Sequence, residues 1–432
     1  MRRTLALRLY SALMTLAQPL LRRKLARRAR SEPSYGLAIE ERFGRYSQPP
    51  ESRSELLWIH AVSLGETRAA AILIATLRAQ WPGLRVLLTH GTATGREQGQ
   101  ALLGPGDVQV WQPWDTPAAT AGFFAHFRPR MGVLMETEVW PNVLAQARAA
   151  SVPVVLANAR MSERSLQRAL RLALLARPAY RALSAVWAQT EDDARRLRQL
   201  GAPVQSVLGN LKFDATPDAR QCALGQQRRA QLARPVLMLA SSREGEEALL
   251  IQALGQVPRP WPFELLIVPR HPQRFDTVAQ YLGAQGFEVS RRSQWGTELT
   301  TWPPPAGAVW LGDSLGEMAL YYSLARMALL GGSFERLGGQ NLIEAAACGC
   351  PVIMGPHTFN FSEAAEQARQ EQAAVQVSDM AQGLELALQW CQQEGGNQRA
   401  ASAQAFAQRH RGAAQASADA LAAWWQARAD AA

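Results

Sequence analysis

The chain has 432 residues, 47% hydrophobic and 19% charged, enough for two ordinary domains with separate cores. That composition excludes a disordered or collagen-like chain, and no stretch is apolar enough for a polytopic membrane protein. The formal charge is +10, but residues 1–30 hold nine cations (Arg2, Arg3, Arg8, Arg22, Arg23, Lys24, Arg27, Arg28, Arg30) and no carboxylate; 10 − 9 leaves +1 for residues 31–432, which argues against a nucleic-acid-binding surface.

The first predicted element is a helix in that basic segment. Between Arg8 and Arg22 run thirteen residues, LYSALMTLAQPLL, interrupted only by Gln18 and Pro19. As a helix they rise roughly 20 Å, short of a ~30 Å hydrocarbon core. An apolar middle with basic ends suits a helix lying in the interface of an anionic membrane. Two alternatives stand: a tilted single span, which would leave the body in the cytoplasm, and a basic helix packed on its own domain. A cleaved secretory signal is disfavoured, because arginines rather than a small-residue site follow the apolar run.

From residue 55 short apolar runs alternate with helical patterns. The predicted strands are 56–62, 85–90, 108–114, 132–138, 152–158, 185–189 and 205–208, with helices such as 67–80 and 141–150 between them. A polar, Gln/Arg-rich stretch without a core period follows at 214–234. Strands are then predicted at 236–240, 264–268, 308–311, 327–330 and 351–354, and the Ala/Gln-rich tail from Gly395 reads as helices. Continuous apolar strands separated by helices mean parallel sheets covered on both faces, so two consecutive open α/β units are expected. The four cysteines (Cys222, Cys348, Cys350, Cys391) make no disulfide framework, and nothing completes Cys348-x-Cys350 as a zinc site.

Open parallel sheets bind ligands beyond the carboxyl ends of their strands, and two facing domains would line one cleft with those loops. Just after the first strand, Gly65 permits a turn and Glu66 enters the next helix; it is either a carboxylate favouring a positive helix end or a general base. Glu136 and Glu138 close another strand and would share a face if the strand continues that far. Carboxylates in a run that reads as buried need a partner or a task. The chain has 44 arginines and only two lysines, Lys24 and Lys212, so Lys212 hints at a need for a compact ammonium. Pro269-Arg270-His271 ends a strand in the second half and suits an anionic ligand such as phosphate. Gly338-Gly339-Gln340 opens a helix in which Asn341 and Glu344 lie within one turn.

Together these strings resemble the Kdo transferases (3-deoxy-D-manno-octulosonic-acid transferases) of lipopolysaccharide synthesis. The matching text is HAVSLGET (60–67), METEVWPN (135–142), NARMSERS (158–165), GNLKFD (209–214), EGEE (244–247), VPRHPQRF (268–275), GDSLGEM (312–318), GGSFERLGGQNLIEAAACGCPVIMGP (331–356) and HTFNF (357–361). The resemblance implies a GT-B architecture: two Rossmann-like domains facing a central cleft. Residues 1–30 would be a membrane-associated helix, 31–213 the acceptor domain and 214–432 the CMP-Kdo-binding domain. It implies an inverting, metal-independent transfer of Kdo from CMP-Kdo to the lipid A precursor lipid IVA at the cytoplasmic side of the inner membrane. No further cofactor and no nucleic acid are involved. Glu66 matches the general base of the family, and Glu136 and Lys212 match two further catalytic-site residues. CMP contacts carry over to Pro269 and Arg270, to Leu315, Gly316 and Glu317, and to Asn341, Leu342, Ile343 and Glu344. Where the family commonly has His before that Asn, this chain has Gln340, which can hydrogen-bond but carries no charge. The rival readings are another nucleotide-sugar transferase or epimerase using a UDP-sugar, and a catalytically silent membrane adaptor.

Overall fold

The structure, a computed structural model, describes residues 4–52, 55–296, 299–393 and 396–429. Arg2 and Arg3 of the basic segment, and Gly395 at the start of the tail, lie outside them. The described residues form two compact units, one reaching Asp214 and resuming at Arg411, the other Ala215–His410.

The first unit carries a seven-stranded sheet of β1 (Leu56–His60), β2 (Arg85–His90), β3 (Val108–Trp111), β4 (Met131–Met135), β5 (Val154–Ala159), β6 (Ala185–Ala188) and β7 (Val204–Val207), in the order β3-β2-β1-β4-β5-β6-β7. All pairings are parallel. Successive side chains of β1 enter opposite cores: Leu56 and Trp58 pack with Phe123, Phe124 and Phe127, whereas Leu57 and Ile59 pack with Leu73 and Leu77. Both faces are therefore dry, which is why this strand reads as a continuous apolar run. Gly132 on β4 lies opposite Trp58, and a Cβ there would stand 2.5 Å from the indole.

The second unit repeats the plan with β8 (Val236–Ser242), β9 (Glu264–Pro269), β10 (Val289–Arg291), β11 (Val309–Leu311), β12 (Met327–Leu330), β13 (Val352–Met354) and β14 (Ala374–Gln376), ordered β10-β11-β9-β8-β12-β13-β14 and again parallel. The sequence leaves out β10 and β14, three-residue edge strands too short to show a period. The stretch 214–234, expected to lack a core period, contains the helix Ala219–Arg229. Asp218 caps it by accepting from Gln221 N, and Gly225 lets its backbone approach Leu320 O.

Two boundaries differ from expectation. The last helix, Ala413–Ala429, belongs to the first unit rather than to the second. Ala413, Ala414, Ala418 and Leu421 join the core of Leu57 and Ile59, Trp425 stacks on Trp81 at 5.8 Å, and Asp214 accepts from Gly412 N (2.6 Å) and Ala414 N (2.7 Å). An alanine-rich stripe carries little hydropathic signal of where it docks, so the sequence leaves this attachment unread. The basic segment is likewise part of the first unit, as two helices: α1 (Leu5–Leu16) and α2 (Gln18–Ser31), broken at Ala17 with Pro19 in the first turn of α2. Ser11 Oγ donates to Asn142 Oδ1 at 2.8 Å, and Tyr10 hydrogen-bonds Asp115. Leu25 of α2 is buried with Tyr35 and Trp111. No helix among the described residues is long and apolar enough to cross a membrane.

Candidate active site

In each sheet the chain leaves one strand for one side and later returns to the other, so that loops part at β1/β4 and at β8/β12. Such switch points, outside the carboxyl ends of the strands, are where open α/β sheets bind ligands.

At β1/β4, α3 (Leu64–Gln80) starts directly after the strand-end loop, with Ser63 as its N-cap. Ser63 Oγ accepts from Glu66 N at 3.4 Å, and the Glu66 carboxylate reaches back, taking Val62 N on Oε2 at 2.8 Å and Ser63 Oγ on Oε1 at 3.3 Å. This exchange, akin to a capping box but reaching the N–H of Val62 before the N-cap, fixes the carboxylate where the strand ends. Only 9% of Glu66 is exposed. Burial is the main force raising its pKa; the Val62 N–H opposes it and the charges of Glu136 and Glu138 reinforce it, leaving it pushed up to about 8. A carboxyl tuned to that range is matched to proton abstraction near neutrality.

β4 stops at Met135, so Glu136 and Glu138 do not share a face by strand alternation as expected. Glu136 instead adopts φ +54°, in the left-handed region, and turns the chain out of the sheet. That conformation is costly for a non-glycine residue, and the surroundings impose it: Glu136 N donates to Ala157 O and Arg160 N donates to Glu136 O. The carboxylate meets Lys212 Nζ at 2.8 Å. Lys212 is placed by Asn158, itself at φ +52°, whose Oδ1 accepts from Leu211 N at 3.0 Å, and by Asn210 Oδ1, which accepts from Lys212 N at 3.0 Å. Glu138 takes Trp140 Nε1 at 2.9 Å, and burial raises its carboxyl above the usual range. His60 Nε2 stands 4.0 Å from Glu138, and burial lowers this imidazole to about 3, so it is neutral. The structure thus brings Glu66, Glu136 and Lys212 into one cluster, with Glu138 as a further member. Asn158 escaped the sequence reading, although an Asn ending an apolar strand run is a recognisable candidate for the left-handed region.

At β8/β12 in the second unit, Glu246 is fully buried and accepts from Arg243 N (2.8 Å), Gly332 N (2.7 Å) and Phe334 N (3.1 Å). One carboxylate thereby ties the loop after β8 to the glycine loop after β12. Pro269 ends β9, and Arg270 follows with its N–H on Ser242 O. Arg270 Nε donates to Gln340 Oε1 at 3.2 Å, so Gln340 orients the guanidinium. Asn341 Oδ1 accepts from Ile343 N at 3.0 Å, starting the short helix Ile343–Ala347. Leu342 and Ile343 bury their side chains in the core and offer no side-chain surface to a ligand. Gly316 takes φ +78°, and Gln221 Nε2 donates to its carbonyl at 2.9 Å. Leu315 is exposed, whereas Glu317 is engaged by Arg292 at 2.7 Å and by Ser314, which makes it a brace of this loop. The four cysteines are free thiols, Cys222 and Cys348 having their sulfurs 4.0 Å apart. Among the described residues no group of three His, Cys, Asp or Glu side chains converges as metal ligands do.

Two doubly wound parallel sheets, with a buried carboxylate at one switch point and an oriented arginine beside the other, give the two-domain α/β architecture of the GT-B class. HepE of Anabaena, solved with UDP, shares the fold at a TM-score of 0.55 and 15% identity, over 85% of this chain and 100% of that one. The family model for 3-deoxy-D-manno-octulosonic-acid transferase (Kdotransferase) matches residues 38–215. A 3-deoxy-D-manno-octulosonic acid transferase of Bordetella pertussis is 46% identical over 92% of this chain and 94% of its own length, and that of Haemophilus influenzae 33% identical over 88% and 89%. The chain belongs to the 3-deoxy-D-manno-octulosonic acid (Kdo) transferase family.

Proposed function

We propose that this Kdo transferase takes the sugar from CMP-Kdo and delivers it, with inversion and without a bound metal, to lipid IVA in lipopolysaccharide core biosynthesis. The observation that carries the reading is Glu66, a carboxyl with its pKa pushed up to about 8, held at the β1/β4 switch point beside the Lys212–Glu136 pair. Glu66 accepts the proton of an acceptor hydroxyl as that oxygen bonds to the anomeric carbon of Kdo. The bond from that carbon to the CMP phosphate oxygen breaks, and its electron pair leaves with CMP. Arg270, oriented by Gln340, offsets the phosphate charge. The decisive assay is mass spectrometry of products from the purified chain, CMP-Kdo and lipid IVA, repeated with chelator and with UDP-sugars. Loss of transfer in chelator removes the metal-free reading, and transfer from a UDP-sugar instead of CMP-Kdo removes the donor.

We also infer that the enzyme works docked on the anionic cytoplasmic face of the inner membrane. Leu5 (73%), Leu9 (64%), Leu13 (65%) and Leu16 (78%) of α1 are exposed at helical spacing, and α2 adds Arg23, Lys24, Arg27 and Arg30. An apolar helix face beside a run of cations is the composition of an interfacial helix on anionic lipid. Removing residues 1–30 should therefore lower activity on bilayer-embedded acceptor more than on detergent-dispersed acceptor; equal loss in both would make the segment structural only.

A further inference from the structure

Between α1 and the helices Pro141–Ala149 and Ala173–Tyr180 lies a cavity of about 310 Å³. Its walls are mostly apolar: Leu7 on one side, Pro141 and Leu144 on the second, Leu175 and Pro178 on the third, with Arg148 beside them. An apolar cavity of ~150 Å³ stays dry and takes a benzene-sized guest, so this one has room for a longer hydrocarbon. It belongs wholly to the first unit.

We propose that this groove seats one acyl chain of the acceptor, so that the enzyme grips part of the lipid rather than only its sugar. The inference rests on the reading of the acceptor as a lipid and adds the place where it is held. Three observations favour an acyl chain over another apolar occupant. First, two of the elements that form the walls also present leucines to solvent: α1 has Leu7 in the groove and Leu5 and Leu9 outside, and the helix Ala173–Tyr180 has Leu175 in the groove and Leu174 (81%) outside, with Leu172 (65%) exposed just before it. A chain arriving from a membrane would meet these exposed leucines beside the groove. Second, Arg148 is exposed at the groove, and an amphiphile with an anionic phosphorylated headgroup complements a cation at the edge of an apolar slot. Third, the wall is continuous with the catalytic strap. Pro141 follows Trp140, whose indole holds Glu138, and Asn142 accepts the Ser11 hydroxyl from α1. Occupying the groove therefore positions the lipid against the same short segment that carries Glu136 and Glu138.

Ala145 and Ala149 line the groove and are not fully buried, so Ala145→Trp and Ala149→Trp fill it from the side. The measurement is the ratio of kcat/KM for lipid IVA in detergent micelles to that for its fully deacylated bisphosphorylated disaccharide. Both variants should lower this ratio at least about tenfold, the penalty expected when a hydrophobic pocket no longer fits its chain. A wild-type ratio in both variants overturns the groove, and so does an equal fall on both acceptors. In parallel, the wild-type chain is irradiated with lipid IVA carrying a diazirine acyl chain, which needs no substitution. Adducts within 141–149 or 173–182 support the proposal; adducts only on the outer face of α1 overturn it in favour of simple contact with bilayer lipid. Failure of the wild-type enzyme to transfer Kdo to either acceptor defeats the lipid-acceptor reading itself, an outcome distinct from failure of the groove.

Discussion

The Lys212 ammonium stands 2.8 Å from Glu136 Oε1, although 76 residues of chain separate them. It brings one cation to a neighbourhood of three carboxylates, of which Glu66 already feels the charge of the other two. Replacing Lys212 with Met leaves Glu136 without that counter-charge and so pushes Glu66 further up. The acid limb of the kcat/KM–pH profile should move to higher pH, with at least about a tenfold fall at pH 7.5. Lys212→Arg keeps the charge on a bulkier, forked group and should recover the position of the limb better than the rate. A fall in rate with an unmoved limb would mean that Lys212 acts on the substrate and not through Glu66.

Glu66 itself predicts two pH dependences of opposite sense. As a base it must be ionised, so kcat/KM should rise with pH and level off above about 8; Glu66→Gln should remove that limb and lower transfer at least about a hundredfold. Stability runs the other way. The folded-state pKa of about 8 lies above the ordinary value of 4.5, so between those values the folded chain keeps a proton that the unfolded chain has lost. Stability therefore falls as pH rises through that window and is flat above it. Glu66→Gln escapes this loss, and thermal melts should show the variant gaining on the wild type from pH 5 to pH 8.5.

The central strands of both sheets were legible in the sequence because each is buried on two faces and reads as an apolar run; β2 and β12 fall on their expected residues. Glu66, Glu136 and Arg270 were legible because polar groups interrupt those runs at strand ends, and Lys212 because it is one of only two lysines in an arginine-rich chain. Other features depend on contacts between residues remote in sequence. Asn158 gains its role only when Leu211 N arrives, 53 positions on. Glu246 looks like an ordinary first-turn acid until Gly332 and Phe334 close over it. Glu136 and Glu138 converge through a left-handed turn, not through a pleat, and no periodicity encodes that.

Gln340 Oε1 takes a hydrogen bond from Arg270 Nε. An amide holds the guanidinium equally well at any pH in the working range. Gln340→Ala should raise KM for CMP-Kdo several-fold with a smaller change in kcat, since Arg270 loses alignment but not charge. Gln340→His should instead introduce a pH dependence near 6.5, with weaker donor binding below it, because an imidazolium cannot accept from arginine. Steady-state kinetics in donor concentration from pH 6 to 8.5 distinguish the three proteins; a pH-independent KM in the histidine variant would dissociate residue 340 from Arg270.

Asp214, the last residue of the GNLKFD string that carries Lys212, closes the first unit by a contact with the C-terminal helix. Its carboxylate accepts from Gly412 N and Ala414 N, so one side chain caps the C-terminal helix and fixes where the chain re-enters the unit that it left 200 residues earlier. Loss of a cap costs about 1–2 kcal/mol, while Leu421 in the core and Trp425 on Trp81 still hold the helix to the first unit in Asp214→Ala. Differential scanning calorimetry should show the transition of the first unit shifting down while that of the second unit stays in place. Asp214→Asn, which keeps an acceptor oxygen, should recover part of the shift. Truncation before Arg411 should cost more than Asp214→Ala, because it uncovers Trp81 and the Leu73–Leu77 face as well as removing the cap. If instead the second unit loses stability in the truncated chain, the helix Ala413–Ala429 supports the other domain, and the division at His410 is wrong.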